Sequence, residues 1–393
     1  MTDNTEIMSE TFTPAKSRIF YVDNIRIYLT VLVILHHITI GYGGSGGWLV
    51  NESDFYTIDS LTIILFTLFN TINQSYFMAF FFLLAGFFTP RSFEKKGGKT
   101  FSKDRLVRLG IPLVIYAALV SPITEFIVRN YAYAQNWTFE EIIANRINNI
   151  AIGVDHLWFL LALLFFAGFY VLFRKLRPTT SSNESTSSFP KDKVIFAAII
   201  VVALISFCIR IVSPIGFTFF FNFQFGHFTH YAFMFWIGIL AYQRNWFENL
   251  EGSQAKRWIE VAILVVILLP IVLVFMIDLS NPDIAPFLGG LTFESFIFSF
   301  WDSFALLSIS IGVLYIFKNK LNRSNKISQN MGGSAYTAYI IHAIIIIILQ
   351  ILLLPLILPA FLKAVIVAVI GVPLIFILSA LIRRIPGFSL VFG

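Results

Sequence analysis

The chain has 393 residues, of which 57% are hydrophobic and 13% charged, and its mean hydropathy is +0.80. This composition excludes an ordinary soluble globular domain. The net charge of +6 comes from basic residues at the ends of apolar segments, so a nucleic-acid partner is not expected. The single cysteine, Cys208, excludes an intrachain disulfide.

Apolar runs long enough to cross a bilayer recur along the chain, which predicts an all-α, polytopic integral membrane protein embedded in lipid. Ten such runs lie at about 26–42, 61–88, 107–128, 155–173, 194–212, 227–243, 259–278, 296–317, 337–356 and 363–382. Pro355 and Pro359 separate the last two runs and leave open whether these form two helices. No short apolar core ends at a small-residue cleavage site, so we expect the first run to be retained as a spanning helix.

The distribution of Lys and Arg predicts an orientation. With the amino terminus in the cytoplasm, nearly all basic residues fall in cytoplasmic loops, as the positive-inside rule requires. The basic residues left outside are Arg129, Arg146, Arg210 and Lys363. We therefore expect a multi-pass protein of a cell membrane, such as a bacterial plasma membrane, with both termini in the cytoplasm.

The domain organisation is simple. We expect a polar amino-terminal segment at 1–22, one transmembrane domain at 23–384 and a short tail at 385–393. The polar stretch at 179–188 is typical of a flexible linker between helices. The outer segment at 129–154 is expected to form a lid or a short re-entrant helix.

The first apolar helix carries three ionisable residues on one side. Arg26 and His37 are eleven residues apart, so their side chains are offset by only about 20° around the helix and by about 16 Å along its axis. Asp23 lies within about 40° of the same line. Ionisable groups at membrane depth are costly and therefore indicate function. Asp23 and Arg26 can also be an interfacial pair that anchors the helix. His37 lies deeper, and its imidazole suits a general base, although a buried histidine bonded to a neighbouring helix is the alternative. His36 points about 100° away from His37.

A second pattern is the basic sequence KDRLVRLGIP at 103–112. Arg105 and Arg108 are three residues apart and share one helical face at the cytoplasmic end of the third run. Two interpretations remain open for them. They are either ordinary positive-inside anchors, or a pair of guanidinium groups that binds the phosphates of a cytoplasmic donor.

The remaining histidines have less specific patterns. We expect His156, at the outer start of a helix, to be a solvated interfacial residue. His342 lies inside the ninth apolar run beside Tyr336 and Tyr339, where a hydrogen bond between helices is the simplest interpretation. His227 and His230 have a spacing that can bind a metal ion, but no Cys or carboxylate partner is apparent nearby, so no metal is expected.

Read together, these segments resemble the acyltransferase-3 family of integral membrane acyltransferases. The first helix has the family's Asp-x-x-Arg followed eleven residues later by His. FFFLLAGFFTPRSF (80–93) is similar to the Phe-rich Ser-Gly-Phe segment, with Ala85 where serine is usual. The further matches are RLVRLGIPLVIY (105–116), HLWFL (156–160) and YTAYIIH (336–342). The resemblance runs from about residue 18 to 384 and is closest to the glucan-modifying, succinyltransferase-like branch.

The resemblance implies a membrane O-acyltransferase that moves an acetyl or succinyl group from cytoplasmic acyl-CoA to a hydroxyl of a carbohydrate or glycolipid at the outer face. His37 would be the base or a transient acyl carrier, Arg26 would orient the thioester or the CoA pyrophosphate, and Asp23 would hold Arg26. The implied donor-binding residues are Arg105, Arg108, Trp158 and His342.

A secondary transporter or exporter of a small polar or anionic solute is the alternative function. Proton-coupled transporters more often place carboxylates at mid-membrane depth on broken helices. Here nearly all carboxylates lie near predicted helix ends, apart from Asp302 and Glu125. This distribution favours the enzyme.

Overall fold

The computed structural model describes residues 19–149, 153–177, 187–276 and 283–387. Residues 1–18 and most of the predicted linker at 179–188 therefore lie outside the described residues. Within the described ranges the chain forms α-helices, with short 3₁₀ and π-helical turns and no β-strand, which confirms the predicted all-α class. The helices are α1 Phe20–Gly41, α2 Ser60–Arg105, α3 Ile111–Ile115, α4 Ser121–Ile127, α5 Phe139–Asn148, α6 Trp158–Leu176, α7 Asp192–Val212, α8 Phe228–Gln243, α9 Gly252–Met276, α10 Ala285–Leu288, α11 Phe293–Lys320, α12 Lys326–Leu353 and α13 Ala360–Ile382.

Eight helical segments of the described chain are long and apolar enough to cross a membrane. One of them, Ser60–Ala132, runs through α2, α3 and α4 with π-helical turns between them, and it contains the two predicted runs 61–88 and 107–128. Helix α8 coincides with the predicted run 227–243 but has only 16 residues. Each of the ten predicted runs thus overlaps a helix, and the fold is that of a polytopic α-helical membrane protein.

Helix boundaries differ from the prediction mainly in α2, which continues past the predicted end at residue 88 to Arg105. The extension is polar and basic, so hydropathy does not detect it, although its lysines and glutamate are good helix formers. Gly97, with φ of 73°, is the non-helical residue inside this stretch. Glycine adopts positive φ without the steric cost of a Cβ atom.

Two open points of the prediction are resolved by the helix bounds. Helix α12 ends at Leu353 and α13 begins at Ala360, so the last two runs form separate helices. The outer segment at 129–154 contains the short helix α5, which begins with a capping box between Thr138 and Glu141. The Thr138 backbone N–H and hydroxyl donate to the Glu141 carboxylate and hold its pKa below the usual value.

The basic residues that the prediction left on the outer side are all ion-paired. The pairs are Arg129 and Arg146 with Glu125, Arg210 with Asp302, and Lys363 with Glu52. Pairing offsets part of the cost of placing a charge in or near lipid. The exceptions to the positive-inside pattern are therefore explained by their tertiary partners. We call the end of the bundle that carries Phe20 the inner end, and the opposite end the outer end.

Helix α1 lies inside the bundle and contacts α2, α11, α12 and α13. Next to α1, the helices α2 and α8 cross at close distance. A Cβ atom at Gly86 would lie 2.0 Å from the Phe235 carbonyl oxygen, and one at Gly238 would lie 2.1 Å from the Leu83 carbonyl oxygen. Only glycine allows backbones to approach this closely, as at many helix crossings in membranes. The crossing fixes α2, and with it one side of the α1 environment.

Candidate active site

Three histidines distant in sequence meet between α1, α12 and the start of α6. The ring centroids of His37 and His342 are 4.9 Å apart, those of His156 and His342 are 4.6 Å apart, and those of His37 and His156 are 6.4 Å apart. His342 is fully buried and His156 is 8% exposed, whereas His37 is only partly buried. His37 is thus the imidazole of the cluster that remains accessible.

The expectation that His156 is a solvated interfacial residue is wrong. Its Nε2 donates to the Ile340 carbonyl oxygen at 3.1 Å, and its ring packs against those of Tyr116 and Tyr339. The preceding residue, Asp155, has a φ of 40° and accepts hydrogen bonds from the hydroxyls of Tyr116 and Ser121. This turn directs His156 into the bundle instead of towards solvent.

Backbone carbonyls determine which nitrogen of each imidazole carries the proton. A carbonyl oxygen only accepts hydrogen bonds, so a ring nitrogen beside it must donate. The His342 Nδ1 donates to the Tyr339 carbonyl at 2.6 Å, which leaves its Nε2 as an acceptor. The His37 Nδ1 lies 2.9 Å from the Val33 carbonyl and 3.1 Å from the His342 Nε2, and therefore carries the proton shared between them.

This arrangement leaves the lone pair of His37 on Nε2. A neutral imidazole with its Nδ1 hydrogen held by fixed acceptors is oriented to take a proton at Nε2, as a general base must be. The hydrogen bond to His342 also stabilises the imidazolium that forms when Nε2 is protonated. The hydrogen bonds leave the His37 Nε2 available to accept a proton, and a catalytic role for His37 stays a prediction.

Helix α12 connects the histidine cluster to the inner end of the bundle. Gly332 lies beside the Asp23 side chain, the Tyr336 hydroxyl donates to the Arg108 carbonyl oxygen at 2.5 Å, and His342 contacts His37. These contacts show that α1 and α12 run in the same direction. Six residues of α-helix rise about 9 Å, so the Arg108 backbone lies roughly two turns inward from the cluster.

Asp23 and Arg26 form the pair that their spacing predicts. The Arg26 Nη1 lies 3.6 Å from the Asp23 Oδ1 at the inner end of α1, and the Arg26 side chain is 39% exposed. The partial exposure places the guanidinium at the inner surface rather than beside His37. Roles for the two residues in catalysis stay predictions.

Arg105 and Arg108 lie where α2 passes into α3 at the inner end. Arg108 is exposed, and the guanidinium of Arg105 lies 5.0 Å from the centre of the Phe101 ring. The neighbouring carboxylate, Asp104, is paired with Lys96. In the described part of the chain neither arginine forms a salt bridge with a carboxylate, so both keep guanidinium N–H groups for an anion.

Trp158 and His36 both pack against aromatic rings of the bundle core. Trp158 stacks on Tyr231, with ring centroids 5.4 Å apart, inside the aromatic core between α2, α6 and α8. Its proposed part in donor binding stays a prediction. His36 is buried against Phe77, and its Nδ1 lies 3.4 Å from the Asn73 amide nitrogen. His36 therefore serves as a natural control for His37.

His230 does have a carboxylate neighbour, contrary to the sequence analysis. Its Nδ1 lies 3.6 Å from the Asp302 Oδ2, and Asp302 is also paired with the fully buried Arg210. The partner is on α11, more than seventy residues away, so local spacing could not indicate it. Among the described residues no group of three or more His, Cys, Asp or Glu side chains is arranged so that it could hold a metal ion.

Sequence reasoning missed Trp48, whose indole ring packs on His37 with centroids 4.7 Å apart at 33°. Its Nε1 donates to the Gln350 Oε1 at 2.8 Å. Trp48 lies in a glycine-rich loop without periodicity, so no pattern marked it. The one available signal was its position a few residues after the outer end of the helix that carries His37.

These features define an α-helical, multi-pass membrane protein with an accessible imidazole inside the bundle and a pair of arginines at its inner surface. The chain belongs to the acyltransferase-3 family: a family model described as an acyltransferase domain matches residues 19–384. The matched range contains all five motifs that suggested this family.

Curated relatives agree with the branch suggested by the motifs. Glucans biosynthesis protein C of Escherichia coli (strain K12) is 32% identical over 205 residues, which cover 50% of this chain and 51% of the relative. The protein of the same name from Escherichia coli O1:K1 / APEC has the same identity and coverage. The chain spans about half the length of the curated relatives it matches. No solved structure matches it.

Proposed function

We propose that this protein is a membrane O-acyltransferase that transfers an acetyl or succinyl group from cytoplasmic acyl-CoA to a hydroxyl of a carbohydrate or glycolipid at the outer face. The observation that carries the proposal is the hydrogen-bonded pair of His342 and His37, which leaves the His37 Nε2 free as a base. Family membership supports the reaction type, and the name of the Escherichia coli relatives supports a glucan as acceptor.

In the proposed reaction one proton is transferred at the site, and one thioester bond is replaced by one ester bond. The His37 Nε2 takes the proton of the acceptor hydroxyl while the oxygen attacks the thioester carbon. The carbon–sulfur bond then breaks, the ester is formed, and the CoA thiolate leaves with the proton from the imidazolium. If His37 first carries the acyl group and then passes it to the acceptor, the bonds broken and formed overall are the same.

The carboxylates at membrane depth favour this function over a proton-coupled transporter. Asp302 is paired with Arg210, and Glu125 lies 2.7 Å from Arg146 and 2.8 Å from Arg129. A carboxylate that carries protons through a transport cycle must be free to be neutralised. These two carboxylates are instead engaged in ion pairs with guanidinium groups.

The proposal is tested with purified protein in detergent, a glucan and radiolabelled acetyl-CoA or succinyl-CoA. We expect alkali-labile label on the glucan from one of the two donors, at a rate proportional to protein concentration. A glucan that stays unlabelled with both donors, in a preparation whose protein is folded, would contradict the proposed reaction.

Loss of the two arginines is expected to weaken donor binding. Each charge-assisted hydrogen bond to a phosphate contributes about 1.5–3 kcal/mol, so Arg105→Gln with Arg108→Gln should raise the KM for acyl-CoA at least about tenfold. The matched control is Lys95→Gln with Lys99→Gln, which removes the same charge from exposed positions of α2. An equal rise in both double variants would assign the effect to net charge and remove the donor site.

His342 is expected to act by positioning His37. Replacing it with Phe keeps a ring of similar size but removes the Nε2 acceptor. Loss of one buried hydrogen bond of about 1–3 kcal/mol should lower kcat by about 5- to 160-fold, with the KM for acyl-CoA unchanged. His342→Gln, whose amide oxygen can accept the same hydrogen bond, should recover part of the rate. A rise in KM with normal kcat would instead favour the donor-binding role implied by the family resemblance.

A further inference from the structure

Arg383, which follows the last residue of α13 at the inner end, has a guanidinium group that uses few of its hydrogen-bond donors. Its Nη1 donates to the Ser334 hydroxyl at 3.4 Å, a long hydrogen bond, and its Nε is buried without an acceptor. Within the described part of the chain no carboxylate forms a salt bridge with it. A buried donor without an acceptor costs free energy, so this guanidinium has the capacity to bind an anion.

Gly333 of α12 determines where this guanidinium lies. A Cβ atom at Gly333 would lie 2.5 Å from the Arg383 Nη1 and 3.2 Å from its Cζ and Nη2. The guanidinium therefore rests against the backbone of α12 at a position that only glycine leaves open. Arg383 is neither buried nor fully exposed, whereas the next residue, Arg384, is exposed. Arg383 is thus held in place at the inner surface and remains partly accessible.

The same side of α12 also contacts the segment that carries Arg108. The Tyr336 hydroxyl donates to the Arg108 carbonyl oxygen. At about 100° per residue, Tyr336 lies about 60° around α12 from Gly333 and about 4.5 Å along its axis. Gly332, about 40° to the other side of Tyr336, faces α1. Arg383 and the Arg108 segment therefore contact neighbouring positions on one side of the inner end of α12.

A phosphate group is the anion that best suits this arrangement. The planar guanidinium group matches the spacing of phosphate oxygens and can bind two of them at once. The Asp23 carboxylate on the adjoining part of α1 is paired with Arg26 at 3.6 Å instead of with Arg383. CoA carries a pyrophosphate and a 3′-phosphate, and the proposed donor enters at this end of the bundle.

We infer that Arg383 binds a phosphate group of the acyl-CoA donor, next to the phosphates that Arg105 and Arg108 are proposed to hold. This inference rests on the proposed donor and adds to its binding site a residue from the far end of the sequence. Gly333 is a positioning residue, because it lets the guanidinium lie against α12. Arg383 takes no part in the proton transfer, which remains with His37.

The inference is tested by calorimetric binding of CoA to the protein in phosphatidylcholine nanodiscs, without glucan. We expect Arg383→Gln to raise the Kd for CoA at least about tenfold, or 1.4 kcal/mol. The matched control is Arg384→Gln, which removes the same charge from the adjacent exposed position and should stay within about twofold of the wild type. Arg383→Lys keeps the charge but not the planar group, and should recover only part of the affinity.

Gly333→Ala separates the position of the guanidinium from its charge. The added Cβ atom displaces the flexible end of Arg383, whereas alanine itself favours the helix. We expect the Kd for CoA to rise at least about threefold, with a midpoint of thermal unfolding no lower than that of the wild type. Wild-type affinity in Gly333→Ala would contradict the placement of the guanidinium.

An unchanged Kd in Arg383→Gln, or an equal rise in Arg384→Gln, would overturn the inference. The phosphate of a lipid headgroup offers the same chemistry as CoA. If a lipid is the ligand, the Kd for CoA stays unchanged in Arg383→Gln, and phosphatidylglycerol raises the unfolding temperature of the wild type but not of this variant. A wild type that binds no CoA would contradict the proposed donor itself. A wild type that binds CoA no more tightly than Arg383→Gln would contradict only the role of Arg383.

Discussion

Replacing His37 with Gln is expected to lower the rate of acyl transfer by about 10²- to 10⁴-fold, the usual contribution of a general base. The glutamine side chain has similar length and can still bond to the Val33 carbonyl, but it has no nitrogen that accepts a proton. Because His37 is the accessible imidazole of the cluster, the loss should appear in kcat rather than in the KM for acyl-CoA.

The adjacent histidine provides the control for this experiment. His36→Gln changes the same residue type on the same helix, but its side chain is buried between Phe77 and Asn73. We expect its activity per folded protein to stay within a few-fold of the wild type. Transfer that survives in His37→Gln, or that is lost equally in both variants, would remove His37 from the chemistry.

The largest effect on stability is expected from the buried pair of Arg210 and Asp302. The Arg210 side chain is fully buried; it donates to the Gly226 carbonyl and the Ser299 hydroxyl at 3.1 Å and pairs with Asp302. Asp302→Asn leaves the guanidinium without a counter-charge in the bundle. Removing one partner of a buried pair costs about 3–5 kcal/mol, so the midpoint of thermal unfolding in detergent should fall strongly.

Comparison with an exposed pair distinguishes burial from charge. Arg257 and Asp192 are 2.6 Å apart, but their side chains are 56% and 42% exposed. Arg257→Gln should therefore cost no more than about 1 kcal/mol. The double change Arg210→Met with Asp302→Leu should recover most of the stability, because no unpaired charge remains. If Asp302→Asn unfolds at the wild-type temperature, the pair does not stabilise the bundle.

The sequence predicted the fold class because spanning helices are read from hydropathy alone. It also predicted the face shared by Arg26 and His37, since both lie on one regular helix and helical periodicity determines their register. The same periodicity separated His37 from His36. These inferences need no knowledge of how helices pack.

The parts of the site that the sequence did not predict depend on contacts between distant segments. The hydrogen bond between His37 and His342 joins residues 305 positions apart, and the pair of Glu52 and Lys363 joins residues 311 positions apart. His156 was misjudged because its burial results from the turn at Asp155. Single-sequence patterns report local structure, whereas these contacts are set by the packing of α1, α6, α12 and α13.

We propose that one histidine inside the bundle, His37, serves a donor at the inner end and an acceptor at the outer end. The most direct test uses sealed proteoliposomes with oriented protein, with glucan enclosed on one side and labelled acyl-CoA added on the other. Arg383 lies near Gly333 at the inner end, so protease access to a carboxyl-terminal tag reports the orientation. We predict labelled glucan only when acyl-CoA reaches the face with Arg105 and Arg108, and labelling at least about 100-fold slower in His37→Gln vesicles. Equal labelling from either face, or labelling only with both substrates on one side, would contradict the account.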